Sequence, residues 1–455
     1  MKKSFMMLLT LVFVASIALA GCGSKAETKT TDEKTPTTDA TQTPTEPEKK
    51  SEPFSITLRH IQVGEPQKNR LAILQDVVKK TEADVPGLKI ELDGVEDNTN
   101  RNTKLPAEMA AGNVPQIFDL FGGTKDAQKY AQAGKLLDLT PIIEELGIKD
   151  QFMDLSAFSV DGKVYGLPIG SSAEGMYYNT EIFTKYNLTA PKTWDEFENI
   201  LATLKSNGVT PLAGFAKDGW AAAMLPNSLW ARYAGPEFIA GLKDNTSDWT
   251  SPEITAAMTK LDEWNKKEYF VKGQLGIDYA GRIGQISTGK AALMFDGSWS
   301  SSSFADPKQA GDVVGKIGFF FLPPAPGGKG DQTAVNGNSS ANGYGFRADL
   351  NENELKAAKA FIKNMYTLEN QEKGLLTDNT LPSMKLPKES TDKVTDQIVR
   401  QVTEGMSAAG ALFPVFDAFV TSEVNTAIEQ NVQKLFSGKI TPAEFGQNVA
   451  KAAGK

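Results

Sequence analysis

Phe54-Ser55-Ile56-Thr57-Leu58, followed by Leu71-Ala72-Ile73-Leu74-Gln75-Asp76-Val77-Val78, Leu88-Lys89-Ile90-Glu91-Leu92 and Ile117-Phe118-Asp119-Leu120-Phe121, is a stretch whose apolar spacing keeps changing. In the first block every second residue is apolar, the pattern of a half-buried strand. In the second, Leu71, Leu74, Val77 and Val78 recur at helical spacing, and Pro86-Gly87 stops that helix. The third block alternates again. The fourth is an apolar run closed by Gly122-Gly123. Strand, helix, strand, helix, strand is the signature of a parallel α/β sheet.

A second run of this kind follows from Gly166. Gly175-Met176-Tyr177-Tyr178-Asn179 reads as a strand. Thr193-Trp194-Asp195-Glu196 reads as a capping box, with Thr193 as N-cap and Glu196 three residues on. Ala291–Phe295 and Ile317–Phe321 are short apolar strands, and amphipathic helices are expected over Asn353–Tyr366 and after Asp417. No internal repeat at solenoid periods is present.

Upstream of Phe54 the composition changes twice. Lys2 and Lys3 precede an apolar run from Phe5 to Leu19, then Ala20, Gly21 and Cys22. The run is too short and wrongly flanked for a spanning helix and reads as a secretory signal. Leu19-Ala20-Gly21-Cys22 looks like a bacterial lipobox, which implies lipidation at Cys22 and a palmitate-type acyl anchor. Residues 23–53 are Thr, Lys, Glu and Pro with almost nothing apolar, the composition of a disordered tether. Such a tether reaches roughly 30 Å.

The chain of 455 residues has a net charge of −8 with no basic stripe, so nucleic acid is not an expected partner. It has one His, His60, and one Cys. That removes thiolate zinc sites, disulfide frameworks and iron–sulfur clusters, and leaves only His60 for any Ser-His-Asp arrangement. No cofactor and no metal are expected.

Six short pieces of the chain, standing in order, resemble the extracellular solute-binding proteins of family 1, which serve carbohydrate ABC importers. They are Ala111-Gly112-Asn113-Val114-Pro115-Gln116-Ile117-Phe118; Asp161-Gly162-Lys163-Val164-Tyr165-Gly166-Leu167-Pro168; Met176-Tyr177-Tyr178-Asn179; Pro191-Lys192-Thr193-Trp194-Asp195-Glu196-Phe197; Gly289-Lys290-Ala291-Ala292-Leu293-Met294 with Gly297-Ser298-Trp299; and Leu435-Phe436-Ser437-Gly438-Lys439-Ile440-Thr441-Pro442. Gln116 departs from the pattern, where the family usually has Asp, and is expected behind the site. The resemblance implies a two-lobed, periplasmic-binding-protein-like α/β fold of type II, hinged and closing on a solute. The expected lobes are residues 54–166 with 343–381 and residues 167–342 with 382–455. The chain is expected to cross near Tyr165–Ile169, Ser339–Gly343 and Asn379–Met384. The implied partners are a carbohydrate ligand and the permease subunits of an importer, with the membrane touched only through the lipid.

A sugar site needs flat aromatic faces for pyranose C–H surfaces and carboxylates or amides for hydroxyls. Among the six Trp, Trp299 resembles the family's stacking residue. Trp220 stays open between ligand and packing, while Trp194, Trp230 and Trp264 fit core or capping positions. Glu174 matches a family position facing the cleft. Asp119 ends a strand at a switch point, and Asp296 precedes Gly297 and Trp299. Arg101, Asn338 and Tyr177 complete the candidate set, and His60 is expected at a surface or hydrogen-bonded position. Two other readings stay open. A membrane-anchored glycoside-processing enzyme needs a carboxyl pair astride a bond. A receptor for an anionic solute needs an Arg/Lys fork, whereas Arg59, Arg101 and Arg347 are scattered.

Overall fold

Alternation at Phe54, Ile56 and Leu58 becomes strand β1 (Phe54–His60), which runs parallel to β2 (Leu88–Gly94) in register Phe54 to Leu88 through His60 to Gly94. Between them the helix Lys68–Asp84 buries Ile73, Leu74, Val77 and Val78 against the sheet side. β3 (Ile117–Phe121), buried along its length, lies on the other edge of β1. β4 (Gly166–Pro168) and β9 (Asn342–Phe346) join antiparallel, giving the order β2–β1–β3–β9–β4. Residues 52–338 and 342–455 are described by this computed structural model. The signal segment, Cys22 and nearly all of the tether lie outside the described residues, as do Ser339, Ser340 and Ala341 of one expected crossing.

The second sheet is built on β5 (Ser172–Asn179). One edge of β5 pairs along 174–178 with β6 (Leu293–Gly297). The other pairs with β8 (Val335–Asn338) at its start and with β7 (Ile317–Phe320) at its end. β10 (Leu412–Phe413) extends the sheet beyond β8. Gly166–Pro168 belongs to the first sheet and Ser172 begins the second, so the chain passes between them at residues 169–171. There Ser171 pairs with Leu381, and Ser383 Oγ donates to the Pro168 carbonyl at 2.9 Å. Two passages thus run side by side and are stitched together.

The capping box at Thr193 and Glu196 is formed. A second box, Asn351 with Glu354, starts the helix Glu352–Met365. Gln116, in place of the usual Asp, accepts from Thr57 N (3.0 Å) and donates to Glu354 (2.7 Å), tying β1 to that helix. Trp194 stacks on Trp264, with centroids 6.0 Å apart, while Trp230 meets Trp249 edge-on in a cage with Phe238 and Phe445. All four are core residues. His60 differs from expectation. It is buried beneath Gly94, and its Nδ1 has no hydrogen-bond partner among the described residues.

Candidate functional site

The site lies where the two sheets face each other, and its second-sheet half is aromatic. β6 ends at Gly297, and Trp299 follows in a 3-10 turn. A Cβ at Gly297 would lie 2.2 Å from the Trp299 ring, so the glycine lets the indole lie against the strand. Trp299 Nε1 donates to the Tyr279 hydroxyl, which donates to Asp296 Oδ1 at 2.8 Å. Trp220, in the first turn of the helix Gly219–Ala234, packs on Tyr279 with centroids 4.5 Å apart. Burial pushes the Tyr279 hydroxyl well above its ordinary range, so it stays a neutral relay. Trp220, Tyr279 and Trp299 are all partly exposed and form one platform.

Asp296 is the buried foundation of that platform. Its Oδ2 accepts from Arg282 Nε (2.7 Å) and Ser300 Oγ (2.6 Å), and its Oδ1 from Tyr279 and Gly297 N (2.8 Å). The Arg282 guanidinium lies 3.8 Å from the Tyr279 ring centre, a cation–π contact that fixes the ring from behind.

The first-sheet half is polar. After β2, Glu96 caps the short helix Asp97–Thr99, and a wider π turn at Asn100–Lys104 follows. Asn100, 1% exposed, donates to the Asp119 carbonyl at 3.3 Å. Asp119, 2% exposed on β3, accepts from Asn342 at 3.4 Å through Oδ1. Burial first, then the neighbouring Asp97 carboxylate, pushes Asp119 well above the ordinary carboxyl range. Asp97 is itself raised by burial. Arg101 lies 3.2 Å over the Phe121 ring centre and pairs with Asp126 (3.3 Å) and Asp417 (2.9 Å).

Asp417 comes from the turn Phe416–Ala418, beyond β10, and thus reaches the first lobe from the second. The same turn accepts a hydrogen bond from Thr124 N at the Ala418 carbonyl (2.7 Å). Gly123, at φ +106°, permits that approach, since a Cβ there would lie 1.9 Å from the same oxygen. Glu174 stands on β5 of the second sheet, between the platform and the Asp417 turn. It pairs across the sheet with Gly297, accepts from Asn336 at 3.2 Å and is 4% exposed. Burial, with Asp417 and Asp296 nearby, pushes its carboxyl well above the usual range.

Of the sequence candidates, the structure therefore brings Asp119, Glu174, Trp220, Trp299 and Arg101 to the meeting of the lobes. Asp296 lies beneath the platform with both oxygens satisfied. Tyr177 is fully buried, its hydroxyl bonded to the Gly297 carbonyl (2.7 Å) and its ring packed on Phe304 and Phe319, so it does not face the cleft. Asn338 ends β8, and its side chain lies outside the described residues. Sequence reasoning missed Asp97, Tyr279, Arg282, Asn342 and Asp417. Tyr279 and Arg282 carried one usable signal, an aromatic and a cation three residues apart just upstream of the Gly289–Trp299 motif.

Two α/β lobes joined by paired passages, with exposed indoles and buried hydrogen-bonding groups where they meet, define the class of two-lobed solute receptors. Residues 65–372 match the bacterial extracellular solute-binding protein model, and the chain belongs to that family. A multiple sugar-binding protein of Streptococcus mutans is 23% identical over 386 residues, 81% of this chain and 86% of that one. A solved chitin oligosaccharide binding protein superposes with a TM-score of 0.83 at 45% identity, over 88% of this chain and 98% of that one. A structure from work on xylan utilization by the thermophile Caldanaerobius polysaccharolyticus gives 0.78 at 26% identity, over 88% and 99%. Among the described residues no helix is long and apolar enough to cross a membrane.

Proposed function

We propose that this chain is a receptor for a chitin-type oligosaccharide, held outside the cell membrane by a lipid on Cys22, that passes its ligand unchanged to the permease of an ABC importer. The observation that carries the reading is the Trp220–Tyr279–Trp299 platform beside Glu174. Partly exposed rings held from behind suit pyranose faces, and buried carboxyl groups suit the hydroxyl and amide groups along their edges. The 45% identity to a chitin oligosaccharide binder supports that sugar class. An anionic solute is disfavoured, because Arg59, Arg101 and Arg347 are each already paired with carboxylates. Turnover is not expected of a member of a binding family.

Calorimetric titration with N-acetylglucosamine, cellulose-, xylan- and starch-type oligosaccharides tests the proposal. Saturable binding of the N-acetylglucosamine series, with a raised Tm and no new reducing ends after long incubation, is expected. Failure to bind that series, or its cleavage, overturns it. Mass spectrometry of the processed N-terminus should find acylated Cys22, and Cys22→Ala should release the protein into the medium.

A further inference from the structure

We infer that the buried cluster of Asp97, Asn100 and Asp119 takes a primary ammonium, so that the receptor prefers an oligosaccharide with one free amino group to its fully N-acetylated counterpart. The inference rests on the oligosaccharide reading above and narrows it.

Three buried oxygens there, Asp97 Oδ1, Asn100 Oδ1 and Asp119 Oδ2, have no hydrogen-bond partner among the described residues. Buried polar atoms without partners are costly and uncommon, so such a set calls for an occupant. The residues are tied together. Asp97 and Asn100 stand one turn apart, the Asn100 amide bonds the Asp119 backbone, and Asn342 bonds Asp119 while also acting on Asp97. Asn100 is neutral and 1% exposed, so its unmet oxygen is independent of any clustering of acids.

All three oxygens can accept, the Asp97 and Asp119 carboxyls once a cation draws off the proton that burial makes them keep. A sugar hydroxyl brings one donor, and an N-acetyl group brings one N–H with a carbonyl oxygen that these acceptors would repel. A primary ammonium brings three donors and no acceptor. Charge points the same way. Asp97, Asp119, Asp126 and Asp417 gather here, and the cation among them, Arg101, forms its ion pairs with Asp126 and Asp417, although its Nη2 makes no hydrogen bond among the described residues. Lys125 is turned to Asn102. Asp97 feels Arg101 only at longer range, and neither Asp97 nor Asp119 has an ion pair among the described residues.

The test titrates the full chain with a fully N-acetylated glucosamine tetrasaccharide and with the four isomers bearing a single free amine. One isomer should bind about tenfold tighter or better than the acetylated parent, about 1.4 kcal/mol. In Asp119→Asn and Asp97→Asn, each checked for folding by its melt, that ratio should fall to about one whatever happens to the two affinities. Equal or weaker binding of every isomer, or a ratio preserved in both variants, overturns the inference while leaving the chitin-type reading in place. If no member of either series binds and another sugar does, the proposed function itself fails, and this inference with it.

Discussion

Glu174 shows how a recognition residue weakens the empty protein. Its folded-state carboxyl titrates well above its unfolded value of about 4.3. The folded chain therefore keeps a proton that the unfolded chain has released, and stability falls as pH rises from about 4 through the raised value. Glu174→Gln should remove that dependence. Scanning calorimetry of ligand-free protein should find Tm about 2–4 °C higher than the parent at pH 7.5 and unchanged at pH 4. Oligosaccharide affinity should drop about tenfold, because the amide replaces one carboxyl oxygen by an NH2 that can only donate. A lower Tm at pH 7.5 would mean the carboxylate is stabilising. Tryptophans divide just as sharply. Trp264→Ala, in the core, should cost about 3–5 kcal/mol in denaturant unfolding, whereas Trp299→Ala should cost much less stability and most of the binding. The sequence separated these two because Trp264 repeats with Leu261 on a helix face, while Trp299 follows a glycine at a strand end. Asp97 and Asp417 gave no such signal. Asp97 opens a three-residue helix and Asp417 lies in a 3-10 turn, and their meaning arises only when residues some three hundred positions apart gather around Arg101, Asp417 as its ion-pair partner and Asp97 at longer range.

At the scale of elements, strand periodicity was the most readable feature of the chain. β1, β2, β3 and β5 follow their apolar patterns, and both helices expected in the last third are present. The same rule accounts for Tyr177. Three residues beyond Glu174 on one strand, it points to the opposite face, into the core. Residues 279–282 showed no periodicity, because a 3-10 turn running into a six-residue helix has too few turns, and left only the aromatic–cation spacing as a signal. β6 and its turn make an element-level prediction. Gly297→Ala places a methyl 2.2 Å from the Trp299 ring and must displace it. Oligosaccharide affinity should fall about tenfold or more, with indole fluorescence shifted in the free protein. An unchanged emission and unchanged affinity would show that the ring does not depend on the glycine.

For the whole molecule, the two halves touch away from the stitched passages at two separate places. One is the Asp417 turn on Arg101 and Thr124. The other is a set of charges at the cleft edge, where Lys68 bonds Glu65 (2.9 Å) of its own lobe and Asp306 (2.7 Å) of the other, and Lys308 reaches back to Glu65 (3.3 Å). The Asp306 carboxyl is held down to about 2, first by Lys68 and then by the Lys308 backbone N–H, so the contact keeps its charge well into acid. Partly exposed pairs of this kind contribute about 0.2–1 kcal/mol each and are screened by salt. Because apparent affinity scales with the population able to close, even that much is measurable. Lys68→Glu, which turns attraction into repulsion toward both Glu65 and Asp306, should weaken oligosaccharide binding about two- to fivefold at low ionic strength. It should also enlarge the radius of gyration of the ligand-free protein in X-ray scattering. Lys68→Arg should preserve both values. In 1 M salt, where the screening length is about 3 Å, parent and Lys68→Glu should become alike. Equal affinities at low salt would assign closure to the Asp417 turn alone, with the charged edge contributing nothing to it.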